Sequence, residues 1–91
     1  MRVHVELPSS LIHESGAARE LSVTAASPLD AIQQLGRRFP RLQKRLFDAD
    51  GQLFPYLTLL HNGHPLLPAQ MRSVGCQDGD TLEVMTLAGG G

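Results

Sequence analysis

The chain has one cysteine, Cys76, only four aromatic residues and almost no net charge, and each shortage removes a class of function. A lone cysteine rules out an internal disulfide, a cysteine-only zinc site and an iron–sulfur cluster held by this chain alone. A net charge of −1 gives no general attraction to phosphate backbones or anionic membranes, so a sequence-independent role on nucleic acid is not expected. No apolar run is long enough to cross a bilayer, so no membrane partner is expected either. The opening Met-Arg-Val-His-Val-Glu-Leu alternates polar and apolar residues where a secretory signal needs a continuous apolar stretch, and a cytoplasmic protein is the expectation. Internal repeats are absent, and no linker-like stretch precedes residue 88.

What is present suits one small domain. With 91 residues, 42 % of them apolar, the chain can bury a single core and not two. Residues 1–7 put Met1, Val3, Val5 and Leu7 on one side and Arg2, His4 and Glu6 on the other, the period of a half-buried strand. Pro8 ends it, and residues 8–18, rich in Pro, Ser, Gly and Ala, read as a loop. Residues 19–24 repeat the alternation with Leu21 and Val23 inward, giving a second strand antiparallel to the first.

Ser27-Pro28 is a helix start: the serine can cap free amides, and proline at the first helical position has no amide to satisfy. Leu29, Ile32, Leu35, Gly36 and Phe39 follow at spacings of three and four, with Asp30 in the first turn and Arg37 and Arg38 in the last. Pro40 stops this helix, and Leu42, Leu46 and Phe47 anchor a short irregular or helical segment. Asp50-Gly51 marks a turn, 56–61 a third strand, and Asn62-Gly63 a tight hairpin into a short strand at 64–67. Residues 68–76 read as a connector, Asp78-Gly79-Asp80 as a turn, and 81–87 as the last strand with Leu82 and Val84 on one face. Strand, strand, helix, strand, short strand, strand is β-grasp order. The expected fold is α+β, a ubiquitin-like mixed sheet of four to five strands on one main helix, with the first and last strands adjacent in its middle. The domain then spans 1–87, and 88–91 form a flexible glycine tail.

That tail, Ala88-Gly89-Gly90-Gly91, has no side chain large enough to pack. A backbone without Cβ atoms can thread a narrow channel and bring the Gly91 carboxylate beside a nucleotide bound by another protein. The carboxylate is ionised at neutral pH and is a poor acyl donor until activated. Ordering such a tail costs roughly 1–2 kcal/mol per residue, so contacts to the folded domain must offset it. Leu87 and Ala88, with Met85, are candidates for an apolar docking patch beside the tail, although Met85 also suits ordinary core packing.

Other features carry less. His61 and His64, with His4 and His13, have no accompanying cysteine or acid in sequence that would make a ligand set, so no metal is expected; His61 fits a strand end with a hydrogen-bond partner. Cys76 lacks an evident base or cation in sequence to activate it and reads as structural. Arg37, Arg38, Arg41, Lys44 and Arg45 form a basic run that suits either a solvated helix end or docking on an acidic surface, and no aromatic residues interleave it to favour nucleic acid. No residue set points to a catalytic site, so the chain is not read as an enzyme.

Val3-His4-Val5, the helix after Ser27-Pro28, Leu46-Phe47-Asp48, Asp50-Gly51, the strand ending at Asn62-Gly63, and Asp78-Gly79-Asp80 before a strand and terminal glycines together resemble the small sulfur carriers of the MoaD/ThiS family. The resemblance runs over nearly the whole chain and is nearest to the cysteine-biosynthesis type. It implies that Gly91 is adenylated by a ubiquitin-activating-type adenylyltransferase of the MoeB/ThiF kind, which uses ATP. Sulfur from a cysteine desulfurase or rhodanese then yields a thiocarboxylate for a downstream sulfur-accepting enzyme. Gly90 and Gly89 are implied as the tail required for activation, and no cofactor is bound permanently. The family pattern has a larger or polar residue in place of Gly89, and some carriers of this type are made with extra residues that a metalloprotease trims, which implies a further partner. Two other readings stay open: a protein modifier conjugated through Gly91 to lysines, and a non-conjugating β-grasp interaction domain.

Overall fold

The computed structural model of the protein describes residues 1–13 and 15–87. Strand β1, Arg2–Glu6, buries Val3 and Val5 completely and continues inward to Leu7. It pairs antiparallel with β2, Glu20–Thr24, in a register that sets Val3 opposite Val23 and Val5 opposite Leu21. Between them lies a single helical turn, α1, Ser9–Ile12, where a loop was expected. It forms because Leu11 drops into the core, and one turn is too short to leave a helical period in the sequence.

Helix α2, Pro28–Arg38, starts as the sequence dictates: the Ser27 hydroxyl accepts the Asp30 amide hydrogen at 3.1 Å, with Pro28 at the first position. Its inward stripe is Pro28, Ala31, Ile32, Leu35 and Gly36. After the break at Phe39, a second helix, α3, Pro40–Leu46, buries Leu42 and Leu46. A Cβ on Gly36 would meet the Gln43 side chain of α3.

Strands β3, Leu57–His61, and β4, His64–Pro65, form the expected hairpin. Tyr56 precedes the strand, and β4 is shorter than expected, with Leu66 and Leu67 already outside it. The expected connector at 68–76 contains one helical turn, α4, Gln70–Ser73, held by the buried Met71. Strand β5, Thr81–Thr86, closes the fold. The sheet order is β2-β1-β5-β3-β4, with β5 parallel to β1 and antiparallel to β3. One face, carrying Val3, Val5, Leu57, Leu59, Leu82 and Val84, joins the helices in a single core. The chain therefore leaves the sheet from its central strand.

The hairpin shows why glycine stands where it does. Asn62 and Gly63 have φ of 50° and 85°, the two positive values of a type I′ turn. Nothing lies within 4 Å of a Cβ built on Gly63, so Gly63→Ala meets no clash and reports backbone strain alone. It is expected to cost roughly 1–2 kcal/mol in urea unfolding.

Candidate functional site

Two ends of β5 concentrate the chemistry. At its C-terminal end, Thr86 stands opposite Leu57, and the Leu87 amide donates to the Tyr56 carbonyl at 2.6 Å. Met85, opposite Thr58, faces away from the core and is 41 % exposed, and Leu87 is 57 % exposed. Core packing of Met85 is thus excluded. Leu87 borders a groove of about 340 Å³ walled by Phe54, Leu66, Leu67 and Met71, and Phe54 stacks on Tyr56 with ring centroids 5.2 Å apart. An apolar strip therefore flanks the point where the chain leaves the sheet.

At the other end of β5, Asp80 organises a polar corner. Its carboxylate accepts the Gln77 amide at 2.9 Å, His61 Nε2 at 2.8 Å and Asn62 Nδ2 at 3.1 Å. These hydrogen bonds, that of the Gln77 amide foremost, pull its pKa from 3.8 down to about 2. A carboxyl whose folded-state value is depressed stabilises the fold fully above its unfolded value and loses that contribution as pH falls through the folded one. Acid unfolding should therefore steepen between pH 3.8 and about 2, and Asp80→Asn should flatten that stretch of the stability–pH curve. Cys76, 6 % exposed, lies in the same corner; burial raises its thiol pKa, and the Asp80 charge adds to the rise. It is a neutral, buried thiol.

No family model matches the chain, and no curated protein matches it in sequence. Solved structures do match. SAMP1 from Haloferax volcanii, a small archaeal modifier protein 1, is 26 % identical over 100 % of both chains with a TM-score of 0.82. A chain of the Amycolatopsis orientalis BexX/CysO complex is 22 % identical over 98 % of this chain and 99 % of that one, with a TM-score of 0.80. A putative molybdopterin converting factor, subunit 1, from Pyrococcus furiosus is 18 % identical over 94 % and 97 %, with a TM-score of 0.69. The fold is the ubiquitin-like β-grasp.

Within this β-grasp, the sequence-derived site residues fall into three groups. Met85 and Leu87 are both exposed at the C-terminal end of β5. Ala88, Gly89, Gly90 and Gly91 lie outside the described residues. Arg37, Arg38, Arg41, Lys44 and Arg45 are exposed on α2 and α3, where Arg38 lies over the Phe39 ring and Arg45 donates to the Ser10 carbonyl. Asp78 and Asp80 are turn formers, as read, with Gly79 between them at φ 88°. His61 does end a strand beside a hydrogen-bond partner. The expectation that no cysteine or acid accompanies it fails, because the β3–β4 hairpin and the start of β5 converge on Cys76 and Asp80. His64 is exposed in β4, and His4 stands on the outer sheet face, 3.6 Å from Glu20 and 3.9 Å from Glu6. Among the described residues, no helix is long and apolar enough to cross a membrane.

Proposed function

We propose that the chain is a sulfur carrier, a protein co-substrate whose Gly91 carboxyl is adenylated and then converted to a thiocarboxylate. The observation that supports it best is the placement of β5. The strand leading to Gly89-Gly90-Gly91 is the sheet's centre, held on both sides, and it ends between two exposed apolar residues. Residues 1–87 would act as the rigid handle and 88–91 as the reactive tail. An activating adenylyltransferase recognises the chain through Met85, Leu87 and Ala88, and threads Gly89 and Gly90 to reach its ATP. Attack of the carboxylate on the α-phosphate releases pyrophosphate. Sulfur from a desulfurase or rhodanese donor then takes the place of AMP, and the catalytic groups for both steps belong to the partners. A trimming metalloprotease joins the scheme only if residues follow Gly91.

The likeness to CysO, crystallised in complex with BexX, and to a putative molybdopterin converting factor subunit supports a carrier that works against a partner protein. The likeness to SAMP1 supports a second reading, conjugation through Gly91 to lysines of other proteins, which shares the activation step. The test is ATP–pyrophosphate exchange by a ubiquitin-activating-type enzyme. The chain should stimulate exchange, and the Met85→Ser, Leu87→Ser double variant should need a higher carrier concentration for the same rate. Failure of the intact chain to stimulate any such enzyme of its own cell would oppose both readings.

A further inference from the structure

The polar corner at the start of β5 has a composition that the tail chemistry does not use. His61 ends β3, Cys76 lies in the segment after α4, and Asp80 immediately precedes β5. One ligand atom from each lies within 4.8 Å of the other two. The side chains of His61 and Asp80 are only 16 % and 13 % exposed, and Cys76 is buried. We propose that His61, Cys76 and Asp80 form a zinc site with one coordination position left open.

Ligand type, spacing and support agree on this. An imidazole nitrogen, a thiolate and a carboxylate suit borderline-soft Zn2+, whereas Mg2+ and Ca2+ take oxygen ligands. Around a tetrahedral Zn2+ with bonds of about 2.0–2.3 Å, ligand atoms stand roughly 3.3–3.8 Å apart. The His61 and Asp80 atoms are at 2.8 Å and all three lie within 4.8 Å, so side-chain movements of about 1 Å bring them to coordination. The metal takes the place of the proton between His61 Nε2 and Asp80, and the neutral imidazole that ligates through Nε2 carries its one proton on Nδ1. Asp80 keeps its supports, since the Gln77 amide and Asn62 Nδ2 still donate to the carboxylate, and such outer contacts fix ligand orientation. As the S–Zn bond forms, the Cys76 thiol proton leaves to solvent. Zn2+ with one thiolate, one carboxylate and a neutral imidazole then carries no net charge, as a largely buried corner requires. The fourth position takes water or a donor from a partner. The seven residue steps from Asp80 through β5 to Leu87, at about 3.4 Å each, put this site roughly 24 Å from the chain's exit, so it is separate from the tail.

The test is titration of the chelator-treated full chain with Co2+ and then Zn2+. Expected are a thiolate-to-cobalt charge-transfer band that saturates at one ion per chain, its displacement by Zn2+, and a Zn2+-dependent rise in the unfolding temperature. Cys76→Ser should abolish the band, and His61→Gln should weaken Zn2+ binding at least tenfold by calorimetry. His4→Gln, at the half-exposed His4, Glu6 and Glu20 cluster, should leave binding unchanged. A saturated wild-type chain without the band, one ion per two chains, or undiminished affinity in His61→Gln would each overturn the proposal. The wild-type titration decides it even if a variant fails to fold.

Discussion

Deletion of Gly90 and Gly91 should abolish adenylation of the chain and any sulfur loading, while shifting its unfolding midpoint by no more than about 1 °C. The two halves of that result have separate causes. Folding is complete without the glycines, because β5 is pinned by its ladders to β1 and β3 and by the Leu87 amide on the Tyr56 carbonyl. Two residues without side chains add nothing to the core. Under the proposed function, activation depends on reach: an extended residue spans at most about 3.3–3.6 Å, so losing two would withdraw the carboxylate by about 7 Å from the activating nucleotide. Nucleophilic attack needs the reacting atoms within about 3–3.5 Å, and the handle cannot follow without giving up its docking contacts. A chain that is equally stable and wholly inactive is the expected outcome, read by thermal unfolding and by ATP–pyrophosphate exchange.

Leu35→Ala should have the largest effect on stability, about 3–4 kcal/mol. Leu35 is fully buried on the inward stripe of α2, with α3 on one side and the sheet on the other, so the surroundings cannot collapse freely into the space it leaves. In a domain of this size each kcal/mol moves the midpoint by roughly 4–8 °C, and a fall of about 12–32 °C is expected. Leu67→Ala is the control, since Leu67 is 67 % exposed and its loss should stay within about 0.5 kcal/mol. The contrast separates apolar residues that hold the β-grasp together from those at its surface near the exit.

The fold was legible where local chemistry and global packing agree. Ser27-Pro28 capped α2, Asn62-Gly63 turned the hairpin, and the period-two runs at 1–7 and 81–87 became β1 and β5. What escaped were single turns: α1 and α4 exist because Leu11 and Met71 are pulled into the core, and four residues hold too little periodicity to reveal them. Met85 was ambiguous because a methionine in a strand suits either face; its register opposite Thr58 settled the side. The corner of His61, Cys76 and Asp80 was illegible for a different reason. His61 stands 19 residues before Asp80, and only the pairing of β3 with β5 brings it to Cys76 and Asp80. Residues 88–91, which carry the proposed chemistry, were legible as sequence alone, a run of glycines after the central strand.

Sulfur carriage by Gly91 is read most directly from the intact mass of the full chain after incubation with its activating enzyme, ATP and a sulfur donor. Expected is a species heavier by the difference between sulfur and oxygen, located at Gly91 and absent when ATP is withheld. A chain that is adenylated yet never gains that mass, and instead accumulates as thiol-resistant adducts on lysines of other proteins, would contradict sulfur carriage.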